Sequence, residues 1–317
     1  MGMYITSIVE AIGGTPLLLL ERLASKLELE GGIFAKLEHL NPSFSKKDRI
    51  ALGMIEMAER KGLLKPGQPV LEVTSGNTGT GVALVCAAKG YRFISCMSKG
   101  NSIERVKMIR AFGGDLVLVD QAPGAVKGKV SNDDLVLVEQ EAERIARETG
   151  AYYIDQFHNL DNSASQELAA EEMWDQSGGK IDAFADFIGT GGTFGGYARA
   201  LKARDPSIRC YAVEPEGCAH YGGRIVEGVA HRIQGGGYAK SVANVDPSCI
   251  DGCVSVSDEE TVSMARELAS VEGVFAGFSS GANVAAAVQL LRGAEKGKHI
   301  GVVINDCGLK YISTDLF

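Results

Sequence analysis

Lys47 is the residue whose surroundings best fit covalent chemistry on a small molecule. It follows a predicted strand at 33–38, and Ser45 is a plausible N-cap for a helix predicted to contain Lys47 and to reach about Arg60. Apolar residues recur three, four, seven and eight positions after Lys47, whereas Lys46 aligns in part with polar positions. We therefore expect Lys47, and not Lys46, to begin the buried face of the helix, where a desolvated amine is neutral more often and can form a Schiff base. The alternative is a helix-start lysine whose ammonium extends into solvent.

Two segments combine glycine with hydroxyl side chains where a predicted strand meets a predicted helix. The first contains Thr74, Ser75, Gly76, Asn77 and Thr78, and the second contains Gly189, Thr190, Gly191, Gly192 and Thr193. Backbone amides at a helix N-terminus, with hydroxyls beside them, bind a carboxylate or a phosphate. The second segment lacks the lysine of a nucleotide-triphosphate loop, and Phe194 stands where the dinucleotide fingerprint needs its third glycine. Either segment could instead be only a tight turn.

Glycine is the most unusual feature of the composition, with 40 residues among 317. The glycines concentrate at 76–81, 189–196 and 235–237, and glycine at strand ends lets the backbone approach a ligand or make a tight turn. A fourth segment, Ser279 and Ser280 before Gly281, precedes an alanine-rich helix. By itself that segment indicates only a helix cap.

Apolar runs alternate with amphipathic stretches along most of the chain, which predicts an α/β fold with mostly parallel sheets flanked by helices. Strands are predicted at 33–38, 70–73, 93–97, 116–119, 152–155, 183–188, 210–214 and 300–305, and helices at 79–89, 103–112, 134–149, 194–204, 258–272 and 281–292. Residues 121–134 are rich in glycine, lysine and polar residues, which indicates an exposed loop. We expect two lobes, a smaller, mobile one at 41–150 that binds substrate and a larger one formed by 1–40 and 151–317. Ligands bind at the carboxyl ends of the strands in such folds.

Composition argues against several classes of protein. The net charge of −8 offers no basic surplus for nucleic acid, and no run of about 18 uncharged apolar residues indicates a membrane span. The seven cysteines are odd in number and scattered, which predicts reduced thiols in a cytoplasmic protein. Cys249 and Cys253 have no second pair at zinc spacing, so we expect no metal.

Taken in order, these segments resemble the β-replacing, fold-type-II pyridoxal phosphate enzymes, which have the tryptophan synthase β-like fold. The most similar groups are the cysteine synthases (O-acetylserine sulfhydrylases) and cystathionine β-synthase. The similarity runs from the segment Ile12-Gly13-Gly14-Thr15-Pro16-Leu17 to residues 311–314. It implies pyridoxal 5′-phosphate as cofactor, a phosphate-binding role for the larger lobe, and a homodimer.

The resemblance also implies a role for individual residues. Lys47 matches the Schiff-base lysine that removes the α-proton, Asn77 the ligand of the cofactor 3′-oxygen, and Ser279 the serine that faces the pyridine nitrogen. The remaining matches are the phosphate cup, formed by Gly189, Thr190, Gly191, Gly192 and Thr193, and the substrate-carboxylate site, formed by Thr74, Ser75, Gly76, Thr78 and Gln156.

The implied reaction is β-replacement on a serine-derived amino acid through an α-aminoacrylate intermediate, most simply O-acetylserine plus sulfide to cysteine. A serine beside the pyridine nitrogen cannot hold a pyridinium as a carboxylate would, which favours elimination and replacement over transamination. One alternative on the same scaffold is β-elimination or cysteine–serine exchange with water or another nucleophile. An alternative of another class is a non-catalytic nucleotide-binding or scaffold protein.

Two of the segments that depart from the family pattern concern the substrate. The substrate-facing loop usually reads Gly-Ile-Gly-Ala-Gly-Phe, and here it is Gly235-Gly236-Gly237-Tyr238-Ala239-Lys240. Near the C-terminus, Cys307-Gly308-Leu309-Lys310 replaces Ser-Gly-Glu-Arg and is preceded by Asp306. We hypothesise that Gly236 and Tyr238 contact substrate and that Asp306 orients a water or a cationic group, so that these segments select the β-chemistry. The alternative is neutral change on a solvent-exposed edge.

Overall fold

The computed structural model describes residues 4–74, 76–99, 103–124, 132–226 and 229–317, without the side chains of 103–105 and 132. The chain forms two compact units, which we call unit 1 (Met1–Ile12 and Lys47–Asn162) and unit 2 (Gly13–Lys46 and Ser163–Phe317). Each has its own sheet and its own apolar core.

The strands and helices follow the alternation that the sequence predicts. The strands are β1 (Leu17–Leu19), β2 (Gly32–Lys36), β3 (Val70–Val73), β4 (Phe93–Ser98), β5 (Asp115–Val119), β6 (Tyr152–Tyr153), β7 (Ala183–Phe187), β8 (Arg209–Pro215), β9 (Cys218–Ala219), β10 (Arg224–Ile225), β11 (Gly252–Val256) and β12 (His299–Val303). The α-helices are α1 (Glu21–Lys26), α2 (Lys47–Arg60), α3 (Asn77–Lys89), α4 (Ile103–Ala111), α5 (Asn132–Thr149), α6 (Asp161–Ala164), α7 (Glu167–Gln176), α8 (Gly192–Arg204), α9 (Asp258–Glu267) and α10 (Phe278–Arg292).

Most differences from the sequence prediction are at element ends. Helix α10 begins three residues earlier than predicted, at Phe278, and the predicted helix 258–272 is α9 followed by a π-helical turn, Leu268–Glu272. Helix α5 begins at Asn132, so it takes up the end of the loop predicted at 121–134; part of that loop lies outside the described residues. Strands β1 and β11 and helices α1 and α7 were not predicted, because their apolar patterns are short.

In unit 1, four parallel strands form a sheet in the order β5-β4-β3-β6. One face of this sheet lies against the apolar sides of α2 and α3, where Ile50, Met54 and Ile55 are fully buried. Helix α3 approaches α2 closely at Gly81, where a Cβ atom would stand 3.0 Å from the carbonyl oxygen of Lys47. This packing fixes the first turn of α2 next to α3.

In unit 2, six strands form a sheet in the order β1-β2-β12-β7-β8-β11, parallel except for β1. The central strand β7 is buried along its whole length, as expected for a parallel strand with helices on both faces. The carboxyl end of β7 leads directly into the turn before α8. The predicted α/β architecture is confirmed.

The unit boundaries differ from the lobes drawn on the sequence. Val9 and Ile12 pack on the core of unit 1, so the N-terminal residues belong to that unit and not to the larger lobe. Residues 151–162 also belong to unit 1, because β6 pairs with β3. Residues 41–46 belong to unit 2. The mobility of the smaller lobe stays a prediction.

Within the described ranges, no helix is long and apolar enough to cross a membrane. The same part of the chain contains no group of three or more histidine, cysteine, aspartate or glutamate residues placed to hold a metal ion.

Candidate active site

The two adjacent lysines differ in their surroundings, and not in the way that helical spacing predicted. Lys47 is the first residue of α2 and is half-buried, whereas Lys46 is only 8% exposed. The expectation that Lys47 would be the more buried lysine was wrong. Helical spacing does not apply to Lys46, because it lies in the loop before the helix and its direction is set by that loop.

Lys46 is held in a buried polar network of unit 2. Its Nζ lies 3.2 Å from both carboxyl oxygens of Asp186 on β7, which is 1% exposed. Asn283 of α10 donates to Asp186 at 2.9 Å and to the carbonyl of Val303 at 2.8 Å. The Asn283 side-chain oxygen accepts from the backbone N–H of Phe187 at 2.7 Å. An ammonium engaged in this way is a poor nucleophile.

The first predicted anion site lies in unit 1, at the carboxyl end of β3. Gly76 precedes the first turn of α3, which begins at Asn77. Thr74 is buried, and its hydroxyl accepts the backbone N–H of Gly79 at 3.0 Å. Ser75 lies outside the described residues. The start of a helix of this length attracts an anion through its unpaired amides and its dipole.

Gln156 joins this site from the segment after β6, although it is distant in sequence. The Thr78 hydroxyl donates to Gln156 Oε1 at 2.8 Å, and Gln156 Nε2 donates to the carbonyl of Val73 at 3.3 Å. Asn162 Nδ2 donates to the Gln156 carbonyl at 2.7 Å. The structure therefore brings together Thr74, Thr78 and Gln156, three of the residues predicted to bind the substrate carboxylate.

The second predicted anion site lies in unit 2, between β7 and α8. Gly191 has φ +82°, a left-handed conformation that favours glycine, and directly precedes the helix. A Cβ atom on Gly189 would stand 2.9 Å from the carbonyl oxygen of Gly235. The threonines Thr190 and Thr193 are buried beside the amides of Gly192 and the helix start. This arrangement fits a phosphate held by amides and hydroxyls.

The segment after Gly235 packs on this turn. Gly237 N donates to the carbonyl of Ile188 at 2.9 Å, and a Cβ atom on Gly236 would stand 2.8 Å from the same oxygen. Gly236 must therefore be glycine for packing reasons alone. Tyr238 is 39% exposed. The structure thus places Gly236 beside the predicted phosphate site and leaves the ring of Tyr238 partly accessible.

Ser279 and Asp306 lie near the start of α10. Ser279 is the second residue of the helix and is half-buried. Asp306 is 1% exposed, and its carboxylate accepts the Tyr311 hydroxyl at 2.6 Å. The alternative of a solvent-exposed edge does not hold for Asp306, because the backbone pairings of Ser45 with Asp306 and of Ala276 with Cys307 enclose it. The role of its carboxylate toward a water or a cationic group stays a prediction.

Sequence reasoning missed Glu72, Asp186 and Asn283. Asp186 and Glu72 are each an acidic residue inside a short apolar strand, and a charged residue in a buried strand needs a partner or must be neutral. That pattern could have identified both acids as residues that have a buried partner or are neutral. No comparable sequence signal identifies Asn283, since a polar residue in an alanine-rich helix does not by itself indicate a buried partner.

The chain is similar in sequence and in fold to known enzymes along nearly its full length. A family model described as "Pyridoxal-phosphate dependent enzyme" matches residues 8–306. The cysteine synthase of Staphylococcus aureus (strain Mu50 / ATCC 700699) is 38% identical over 317 residues, covering 99% of this chain and 97% of that protein.

Two solved structures are also similar. O-acetyl serine sulfhydrylase isoform 3 from Entamoeba histolytica has a TM-score of 0.90 and 32% identity, covering 99% of this chain and 92% of that one. A hydrogen sulfide-producing enzyme from Fusobacterium nucleatum has a TM-score of 0.88 and 34% identity, covering 98% of this chain and 99% of that one.

The chain belongs to the pyridoxal-phosphate-dependent enzymes, and its fold is the fold-type-II one that the sequence predicted. Pyridoxal 5′-phosphate is its cofactor, and the chain is an enzyme of this family. The residues present fit this cofactor, because unit 1 has a lysine at the start of α2 and unit 2 has a glycine turn with buried threonines at the start of α8. The assignment of individual residues to parts of the cofactor stays a prediction.

Proposed function

We propose that the enzyme catalyses β-replacement on a serine-derived amino acid, with O-acetylserine and sulfide as reactants and cysteine as product. The observation that carries this proposal is the cluster of Thr74, Thr78 and Gln156 at the start of α3, in the same unit as Lys47. This cluster offers amides and hydroxyls to the carboxylate of an amino acid. The printed functions of the cysteine synthase and of the O-acetyl serine sulfhydrylase relatives support the choice of reactants.

Each residue has a distinct part in this proposal. Pyridoxal phosphate, when bound, withdraws electrons from the α-carbon of an attached amino acid. Lys47 Nζ would tether the cofactor and would accept the α-proton of the substrate. Asn77 would bind the 3′-oxygen of the cofactor, the turn 189–193 would bind its phosphate, and the Ser279 hydroxyl would lie near its pyridine nitrogen. Because a serine hydroxyl cannot hold a protonated ring as a carboxylate would, Ser279 would favour loss of a β-substituent.

Elimination is the second candidate, because one similar structure is described as a hydrogen sulfide-producing enzyme. In that case water or no nucleophile would replace sulfide, and cysteine would be a substrate and not a product. The two reactions need the same α-proton transfer to Lys47, so the residues of the two anion sites do not distinguish them.

A substrate panel separates the candidates. Purified enzyme is given O-acetylserine, O-phosphoserine, serine or cysteine, each with and without sulfide, and the products are quantified. We expect O-acetylserine with sulfide to yield cysteine with a kcat/KM at least about tenfold above every other pair, a difference of about 1.4 kcal/mol in transition-state binding. Pyruvate and sulfide formed from cysteine at the highest rate would contradict the proposal and establish elimination.

Tyr238 is the residue at which we expect specificity to change. Its partly exposed ring replaces a small residue of the family loop, next to the glycines that pack on the turn 189–193. Tyr238→Ala should alter the ratio of kcat/KM between O-acetylserine and O-phosphoserine, whereas a general binding loss would raise KM alike for both. Tyr238→Phe is the matched control that keeps the ring and removes the hydroxyl. A ratio within about threefold of the original, roughly 0.6 kcal/mol, would show that this loop does not select the substrate.

A homodimer and a cytoplasmic location complete the proposal. All seven cysteines are unpaired, which suits a reducing compartment. The proposal of a dimer rests on the family resemblance.

A further inference from the structure

Asn305 is a buried residue of unit 2 whose side-chain amide is unpaired within the part of the chain that the structure describes. It is 4% exposed, and neither its Nδ2 nor its Oδ1 has a hydrogen-bond partner among the described residues. Its backbone, by contrast, is held on both sides. The N–H donates to the Ser280 hydroxyl at 2.9 Å, and the carbonyl accepts the N–H of Lys46 at 2.9 Å. The backbone thus fixes the position of the residue, and its side-chain amide is available to a ligand.

The neighbouring buried amide, that of Asn283, shows the contrast. Its Nδ2 donates to Asp186 at 2.9 Å and to the carbonyl of Val303 at 2.8 Å, and its Oδ1 accepts a backbone N–H at 2.7 Å. Buried amides are normally hydrogen-bonded, because an unpaired buried donor or acceptor keeps the full cost of its desolvation. The amide of Asn305, unpaired at both ends among the described residues and next to a paired network, indicates a place for a polar group that another molecule supplies.

Asn305 lies at the edge of the unit 2 sheet where α/β folds bind their ligands. It follows the carboxyl end of the central strand β12 by two residues. If the parallel register of β12 with β7 is continued, Asn305 is level with Ile188, directly before the turn 189–193. Its bond to Ser280 also places it at the first turn of α10, which carries Ser279. Asn305 is therefore next to the turn proposed to bind the phosphate and next to the helix start proposed to lie near the pyridine nitrogen.

We propose that Asn305 is a further cofactor-binding residue, whose side-chain amide donates a hydrogen bond to the pyridine nitrogen of pyridoxal phosphate as a second uncharged donor beside Ser279. This inference rests on the placement of the cofactor in the proposed function. There the phosphate is assigned to the turn 189–193, the 3′-oxygen to Asn77 and the covalent bond to Lys47. The pyridine nitrogen is the remaining polar atom of the ring, and it is assigned to the part of unit 2 where Asn305 lies.

The chemistry of an amide determines what Asn305 does to the ring. An amide N–H donates to a neutral pyridine nitrogen but does not protonate it, because the amide hydrogen is far too weakly acidic. Asn305 therefore strengthens cofactor binding at this atom and keeps the ring uncharged, as Ser279 does. A carboxylate at the same position would have the opposite effect, because it accepts a charge-assisted hydrogen bond from a protonated ring.

Nitrogen NMR on the holoenzyme measures this bond directly. The enzyme is produced with cofactor that is isotopically labelled at the pyridine nitrogen, whose resonance reports whether the atom is unbonded, hydrogen-bonded or protonated. In the original enzyme we expect the resonance of a neutral, hydrogen-bonded nitrogen. Asn305→Leu keeps the size of the side chain and should move the resonance toward that of an unbonded pyridine. Asn305→Asp should move it in the other direction, toward that of a protonated ring.

A resonance that does not move in Asn305→Leu overturns the proposal, as it would if only an ordered water bound the Asn305 amide. Ser279→Ala tests the same bond without changing Asn305. The nitrogen should stay hydrogen-bonded in this variant, and an unbonded nitrogen there overturns the proposal even if Asn305→Leu does not fold. If neither variant moves the resonance, the pyridine nitrogen lies elsewhere, and the placement of the cofactor in the proposed function fails as well. The reaction itself is decided by the substrate panel, which does not depend on this measurement.

Cofactor affinity and unfolding give a second measurement. Asn305→Leu should raise the dissociation constant of the cofactor about fivefold, as expected for the loss of one uncharged hydrogen bond, and an unchanged constant contradicts the proposal. Without cofactor, the free energy of unfolding of Asn305→Leu should be no lower than that of the original chain, because leucine replaces an amide with no partner in the described part of the chain. Asn283→Leu is the matched control, since it removes a paired amide and should lower that free energy. If both variants lower it equally, the Asn305 amide has a partner within the protein and the proposal fails.

Discussion

Replacing Lys47 with alanine is expected to abolish turnover with every substrate pair. The change removes both the covalent tether of the cofactor and the base that accepts the α-proton. Loss of the proton transfer alone should cost about 10²- to 10⁴-fold in kcat. The measurement is the rate of cysteine formation at saturating substrate, with cofactor content determined in parallel. Lys47→Arg serves as a matched control, because it keeps a positive charge and cannot form the covalent bond.

The same prediction includes the position of the covalent label. Reduction of the enzyme with borohydride, digestion and fragmentation between residues 46 and 47 should place the cofactor on Lys47. In the Lys47→Ala variant we expect no label on Lys46, because its ammonium is paired with Asp186. A label on Lys46 in the unmodified enzyme, or on neither lysine, would overturn the assignment of Lys47.

Replacing Lys46 with methionine is expected to lower the free energy of unfolding by about 3–5 kcal/mol. Methionine keeps the length of the side chain but leaves the buried carboxylate of Asp186 without a cation, with only Asn283 as a hydrogen-bond donor in the described network. The double variant Lys46→Met with Asp186→Asn should recover most of this loss, because the buried charge is then absent. Urea unfolding of samples with equal cofactor content measures the effect, since bound cofactor itself stabilises the folded state.

Lys61→Met provides the control for this experiment. Lys61 pairs with Asp161 at 2.6 Å, but its side chain is 53% exposed, and such surface pairs contribute about 0–1 kcal/mol. If Lys46→Met costs no more than Lys61→Met, then Lys46 and Asp186 do not form a buried ion pair in solution. In that case the ion pair could not be the reason that Lys46 is a poor nucleophile.

Local patterns in the sequence determined the elements and the turns that begin the helices. The apolar run at 70–73, the glycine and threonine residues that follow it, and the glycine turn at 189–193 each define a strand-to-helix junction through residues adjacent in the chain. Their periodicity and turn chemistry do not depend on distant partners, so the α/β fold and the two strand-to-helix turns could be predicted. The assignment of Lys47 came from the order of these motifs and from the helical stripe, and it stays a prediction; α2 begins at Lys47.

Only the tertiary structure decided which polar residues are buried and what they contact. Lys46 is buried because β7 places Asp186 beside it, and Asp306 is enclosed by backbone pairings with distant segments. A charged residue enters a protein interior only where another segment supplies a partner or where it becomes neutral. The order of the strands in the sheet determines which residues are neighbours. A periodic pattern within one segment does not predict that order.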